Sequence, residues 1–391
     1  MTDYMVAIGL ILARLKANEF RSWDHYDFWG SKAGIFLREN KSILTMPVIG
    51  AAYLLDVVFP ILFRRNADQK ISMETLVYVM RAMRVYKWAT GDDTYEDDRA
   101  RLLKHMISHL GTSAHGKGVG HQFDWYTTAL IPKYTPCVTL SSYLVDYLLE
   151  EDPDRYADIL MQIGGFVYHD LNLADNPDGS RKVAYTPLDD RWVMNANSYA
   201  ARIMMRLGAH FARDEYTALS EKLFLYVLNQ QEDDGSWFYF EKGSVPEKEN
   251  FIDCFHTAFI LENLMGAVET SPLPHMAATL DRGLEYFAKT FARPDGAVNH
   301  FSKSHLPLKI RADIRSSAEA IACLAMASRR NPEYRETAIK IHRAVMETMH
   351  DGAGGFYFRD YGFHLSRMNY VRWGAAPMLN ALCALLQAEG K

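Results

Sequence analysis

The sequence lacks most of the signatures by which an enzyme announces itself. No GxSxG elbow, P-loop, GxGxxG or HExxH pattern occurs among its 391 residues. The glycine-rich stretch at 116–121, "GKGVGH", has no strand before it and no helix after it to make a phosphate cradle. Cysteine is scarce: Cys137, Cys254, Cys323 and Cys383 lie far apart, without CxxC spacing or a histidine-rich neighbour. That pattern implies no metal site and no disulfide framework, and it fits a reducing cytoplasm. The amino terminus has no basic n-region or small-residue cleavage site, so it does not read as a signal peptide. No charge of one sign dominates either. A net charge of −5 with dispersed Lys and Arg argues against a nucleic-acid partner.

Apolar residues, by contrast, make up 49% of the chain, enough for a substantial core. Aromatics at 13% favour clefts that stack flat ligands or sugar rings. Residues 43–63, "ILTMPVIGAAYLLDVVFPILF", form one long apolar run followed by Arg64 and Arg65. Its length would permit a membrane span. Asp56, Pro47 and Pro60 point instead to a buried hairpin or to an interfacial segment, with 43–65 in peripheral contact with a membrane.

A repeat is written in the turns. Asp-Gly pairs stand at 178–179, 234–235, 295–296 and 351–352, so the glycines are 56, 61 and 56 residues apart. Glycine tolerates positive φ and aspartate bonds its own backbone, so each pair predicts a tight turn. The residues that follow rhyme: "GSRKVAY", "GSWFYF", "GAVNHF", "GAGGFYF". Between turns lie two stretches with helical apolar spacing, such as "NANSYAARIMMRLGAHF" and "EYTALSEKLFLYVLNQQ". Helix pairs of about 58 residues, repeated about six times, predict an all-α, (α/α)6-type toroid with short hairpins at a funnel mouth. The toroid is expected over residues 71–391, with 1–70 an apolar helical segment packed on it. In that arrangement "GSWFYF" forms rim and wall of the funnel.

Four clusters then carry the candidate chemistry. The first, "GHQFDWY", offers His121, Asp124 and Trp125; the second, "DDRWVMNANSY", offers Asn195 and Asn197. In the third, "NFIDCFHT", Asp253 and His256 are three apart and share a helix face, as a carboxylate–imidazole pair for proton transfer requires. The plainer alternative is a helix-capping carboxylate beside a core histidine. The fourth joins "LPLKIRADIRSS" to "NYVRWGAAPM" and offers Arg311, Arg315, Tyr370 and Arg372; arginine forks suit an acidic sugar. Here the alternative is arginines paired with neighbouring carboxylates. Gln231, Gly235 and Trp237 resemble the QW signature of terpene cyclases, which leaves terpenoid cyclisation as an outside alternative, although no DxDD motif accompanies it.

The stretches "YDFWGSKAGIFLRENK", "GHQFDWYTTALIPKYTP", "NANSYAARIMMRL", "QQEDDGSWFYF", "NFIDCFHTAFILENL" and "YVRWGAAPML" resemble a bacterial and archaeal group found among cell-surface polysaccharide functions. Its toroid is similar to the α/α domain of D-glucuronyl C5-epimerases. The resemblance implies a protein of polysaccharide or capsule biosynthesis, cytoplasmic or peripheral to the inner membrane, with a glycan or polysaccharide partner and no cofactor. One departure stands out: "ADIRSS" puts Arg315 where the family pattern leads one to expect histidine, a permanent cation in place of a titrating group.

The leading expectation is C5-epimerase-like proton transfer on a uronate-containing glycan. His256 and Tyr370 would exchange the proton, Asp253 would orient His256, and Arg311, Arg315 or Arg372 would hold the carboxylate. Trp125, Trp237 and Tyr239 would meet the sugar rings, with Asn195, Asn197 and His121 as further contacts. The same groups would serve a uronate lyase. The alternatives are an inverting glycoside hydrolase using Asp124 and Asp253, and a non-catalytic glycan-binding or assembly protein.

Overall fold

A computed structural model describes residues 3–390 except 128, 271, 272, 274 and 306–308. Among the described residues the helices are α1 (Asp3–Ala17), α2 (Lys32–Glu39), α3 (Met46–Val58), α4 (Ile61–Arg64), α5 (Leu76–Thr90), α6 (Glu96–Ser108), α7 (Val138–Glu151) and α8 (Ala157–Gly165). They continue with α9 (Met194–Phe211), α10 (Asp214–Asn229), α11 (Cys254–Ala267), α12 (Met276–Phe291), α13 (Ile314–Ala327), α14 (Pro332–Thr348) and α15 (Ala376–Ala388). Helices α5, α7, α9, α11, α13 and α15 pack each on the next, and α15 returns to α5, closing an inner ring. Helices α6, α8, α10, α12 and α14 lie outside it. The (α/α) toroid expected from the turn spacing is the fold.

Composition separates the two layers. Of the 14 residues of α13, 13 are buried, and they are mostly Ala, Ser and Ile, small enough for helices to approach on both sides. The outer α14 buries only Ala338, Ile341 and Val345, a single stripe at helical spacing. The sixth outer position is filled from the other end of the chain: α1 packs on α15 and α5 through the fully buried Ile8, Ile11 and Leu12. Burying side chains of this kind contributes about 1.5–3 kcal/mol each, so α1 is an integral stave of the ring.

The Asp-Gly turns fold as their chemistry requires. Gly179, Gly235, Gly296 and Gly352 have φ of 82°, 93°, 83° and 79°. Each aspartate accepts the backbone N–H two residues on, at 2.9 Å for Ser180, 2.9 Å for Ser236, 3.1 Å for Ala297 and 2.9 Å for Ala353. These turns carry the chain from an outer helix to the start of the next inner helix, so their loops gather at one end of the ring. Short antiparallel strands pair there, such as Trp125–Tyr126 with Leu130–Ile131.

Two expectations change. "GSWFYF" does not line the funnel as a block. Trp237 is 1% exposed and donates its indole N–H to the Val227 carbonyl at 2.9 Å, while Gln231 donates to the carbonyls of Gly235 and Thr279. The QW-like pattern therefore fastens a turn to its helices, and Tyr239 alone of the four aromatic or buried positions turns to the funnel ring system described below. The apolar run 43–63 is not a buried hairpin: α3 buries only Val57, and Ile43 and Leu44 are 89% and 84% exposed.

Candidate functional site

The loops before the inner helices bring aromatic and imidazole rings into an arc. In order of contact it runs Tyr185, Trp125, His121, Phe123, Tyr26, His25, Trp373, Phe255, His256, Tyr239, with neighbouring centroids 4.0–5.9 Å apart. Burial raises the Tyr185 hydroxyl at one end of the arc, with Cys137 and Tyr239 adding to it. The rings thus come close to encircling the mouth. His121, His25 and His256 side chains are packed around yet still 11%, 17% and 21% exposed, as groups on the wall of a depression should be.

Helix N-termini supply its carboxylates. Asp253 caps α11 by accepting the His256 N–H at 3.0 Å, and its second oxygen lies 2.7 Å from His256 Nδ1. A carboxylate there holds the proton on Nδ1 and leaves Nε2 with its lone pair, and Nε2 has no protein partner among the described residues. Asp313 caps α13 in the same manner, accepting the Ser316 N–H, and also takes the Trp373 indole N–H at 3.1 Å and the Arg359 guanidinium. Residues Val371–Ala375 form a π-helical turn before α15, which sends Arg372 and Trp373 into the site.

Beneath the rings the charges are matched. Arg372 holds Asp24 with two N–H groups, at 2.5 and 2.7 Å, and Glu74 with a third at 2.8 Å. Arg315 reaches Glu74 at 3.1 Å and has Nε 2.7 Å from Glu319, in poor alignment for a hydrogen bond. Burial alone would raise the Glu74 carboxyl, but Arg372 and Arg315 outweigh it and hold it at about 2. Asp24 is likewise held well below the usual range, burial being overcome by Arg372. Burial, with Arg372, Arg359 and Arg64 nearby, keeps His25 neutral against the pull of Asp24. His121 and His300 fall to about 4, chiefly by burial. Deeper in the ring, burial raises Glu262 and Glu319.

The residues singled out from sequence separate into groups. His256, Asp253, Tyr239, Trp125 and His121 meet in the ring system. Arg372 is 5% exposed with its fork taken by Asp24 and Glu74, and Arg315 is 1% exposed, held by Glu74 and Glu319 with its Nη2 buried and unpartnered among the described residues, so neither is open to a ligand from the mouth. Arg311 is the exposed arginine of the set: its side chain is 64% exposed and ion-paired with Asp360 at 3.8 Å. Tyr370 is 2% exposed behind His25, its ring 6.3 Å away and covered by Arg64. Asp124 accepts the Lys133 N–H at 2.7 Å within its hairpin. Asn197 bonds the N–H and carbonyl of Val183 and the carbonyl of Val193, holding a strand to α9. Asn195 is buried with its side-chain oxygen unpartnered among the described residues. Trp237 presents no face: a Cβ at Gly283 would already meet its ring at 2.8 Å.

Sequence reasoning missed Asp24, His25, Glu74 and His300. The run "SWDHYDFW" at 22–29 held the signal, an acid and a histidine among aromatics, but its partner Arg372 lies 348 positions away.

Fold and site together define an (α/α) toroid with a histidine-lined aromatic mouth. No protein-family model matches the chain, and no curated protein matches it. Among solved structures it is similar to the unsaturated glucuronyl hydrolase of Bacillus sp. GL1, with a TM-score of 0.61 and 14% identity over 98% of this chain and 97% of that one. It is similar to the cellobiose 2-epimerase of Spirochaeta thermophila, with a TM-score of 0.60 and 12% identity over 90% and 99% of the two chains. A glycosyl hydrolase family 88 protein of Bacteroides vulgatus follows the same path, with a TM-score of 0.54 and 12% identity over 86% and 99%. At these identities the likeness is one of fold.

Proposed function

We propose that this protein is a carbohydrate-active enzyme that moves a proton at a sugar carbon of a uronate-containing glycan, as a C5-epimerase or a uronate lyase does. The observation that carries the reading is the Asp253–His256 pair, whose geometry leaves Nε2 bare within a wall of sugar-sized aromatic rings. His256 takes the proton next to the carboxylate, and the exposed Arg311, loosely paired with Asp360 at 3.8 Å, is the cation assigned to neutralise that carboxylate. The returning proton comes from the other side of Trp373, where Tyr26 packs against the neutral His25 and offers its hydroxyl as the acid. Expulsion of the 4-substituent from the same carbanion would give elimination instead. Hydrolysis by paired carboxylates is less well supported, because Asp124 is held by a backbone N–H and Asp253 by its helix and His256. The solved relatives in fold include enzymes named for glucuronyl hydrolysis and for cellobiose epimerisation, which supports a glycan as substrate. Within this reading the protein serves cell-surface polysaccharide synthesis, peripheral to a membrane through residues 43–65.

The test is NMR of uronate polysaccharides incubated with the protein in D2O. Deuterium is expected at C5, falling about 10²- to 10⁴-fold in rate for His256→Ala. New reducing ends with neither deuterium at C5 nor a 4,5-unsaturated uronate, the product elimination would leave, would overturn the reading in favour of hydrolysis.

A further inference from the structure

Residues 32–65 leave the ring between α1 and α5 and carry ten of the seventeen large apolar residues that are exposed among the described residues, including Ile43 (89%), Leu44 (84%), Phe36 (60%), Leu62 (56%), Val48 (54%) and Phe59 (54%). An apolar surface of this extent, formed by a helix that buries only Val57, demands a cover. Its charge says which. Within 32–65, setting aside the buried Arg64 and its partner Asp56, stand Lys32, Arg38, Lys41 and Arg65 against Glu39, four cations to one acid, in a chain whose net charge is −5. Asp56 is already taken by the buried Arg64. Apolar side chains collared by cations suit an anionic headgroup layer with hydrocarbon beneath it. No helix among the described residues is long and apolar enough to cross a membrane, so this surface would lie on one.

The apolar excursion is also part of the mouth. It begins at Asp24 and His25 on the site floor, α2 packs on the Trp125–Tyr126 strand, and Arg38 donates to the Tyr126 carbonyl at 3.3 Å. It ends at Arg64, which donates to the backbone carbonyls of Asp24 and His25 at 3.2 and 3.0 Å. Phe363, itself 63% exposed, has its ring 6.1 Å from that of Tyr361.

We infer that residues 32–65 with Phe363 form a docking surface for an anionic lipid bilayer, which turns the mouth towards the membrane so that its glycan substrate is one tethered there. The tethering rests on the proposed glycan reading; the docking does not.

All four native cysteines are buried, so a single introduced cysteine can be labelled with a polarity-sensitive fluorophore. Leu44→Cys, Leu62→Cys and Phe363→Cys report on the surface. Trp88→Cys, 72% exposed near the far end of α5, is the control. With vesicles containing about one-third phosphatidylserine, blue-shifted emission is expected at the first three positions and not at the control. Lys41→Glu combined with Arg65→Glu should weaken vesicle affinity about tenfold or more, as should about 0.5 M salt. Equal binding to pure phosphatidylcholine, no response to vesicles, or a shift that grows with protein concentration in their absence would overturn the docking, the last pointing to a second copy of the chain. For the tethering, a uronate oligosaccharide on a lipid anchor should turn over about tenfold faster on anionic vesicles than the free oligosaccharide does, an effect of local concentration. Equal rates would overturn it. Vesicle binding with no turnover of either form would overturn the glycan reading and leave the docking standing.

Discussion

Asp253 does two jobs that one substitution can separate. As a cap it accepts the His256 N–H, and as an orienter it holds the proton on His256 Nδ1. Asn at position 253 keeps an acceptor for the cap but offers the imidazole a neutral amide, which no longer favours the tautomer with Nε2 bare. Asp253→Asn should therefore lose about 10²-fold or more in kcat with KM little changed, and the chain should stay folded. The 15N shifts of the His256 imidazole check it: a merely structural change would leave the tautomer as it is, whereas loss of the carboxylate should move the proton off Nδ1. The buried arginines obey a different logic. Arg372 sits between Asp24 and Glu74 and builds the floor, which is why its fork, so suggestive in the sequence, is closed to a substrate carboxylate.

Among elements, the Asp-Gly turns look alike in sequence and differ in surroundings. Gly179 has φ 82° with open space around it, while a Cβ at Gly235, φ 93°, would lie 2.6 Å from the Arg282 carbonyl. Gly179→Ala should cost about 1 kcal/mol, the price of a left-handed alanine. Gly235→Ala should cost more, about 2–4 kcal/mol, because the turn must also back away from α12. Urea unfolding of the two variants tests the difference; equal losses would mean that α12 yields without resistance. The 61-residue repeat owes its extra length mainly to the connection from α11 to α12, eight residues against two between α9 and α10 and four between α13 and α14, so the ring is undisturbed.

For the whole molecule, acid stability follows from its buried imidazoles. His121, His300 and His342 are held to about 4 by burial, below the usual 6.5. The unfolded chain binds their protons first, so the stability they contribute is present above pH 6.5 and is lost as pH falls from there towards 4. Glu262 and Glu319 act in the opposite sense. Their carboxyls are raised by burial, so their contribution is present below about pH 4.5 and is lost as pH rises towards neutrality. Glu262→Gln should raise the melting temperature at pH 8 and leave it unchanged near pH 4.5; an unchanged value at pH 8 would show that Glu262 is not a buried acid.

What the sequence determined by itself was local. An Asp-Gly pair needs only its own backbone to turn, a capping aspartate finds its imidazole three residues on, and apolar spacing declares which helix faces seek cover; from these the toroid and the Asp253–His256 pair were legible. Only the tertiary structure decided the rest. Ring closure seats α1 between α15 and α5, and with it Asp24 and His25 beside Arg372 and Trp373, which no local pattern joins. Closure also settles burial, and burial decides chemistry: it locks Arg315 and Arg372 against internal carboxylates, walls in Tyr370 and Trp237, and leaves residues 43–65 exposed. A side chain's identity is local, but its solvent and its partners are set by the whole fold.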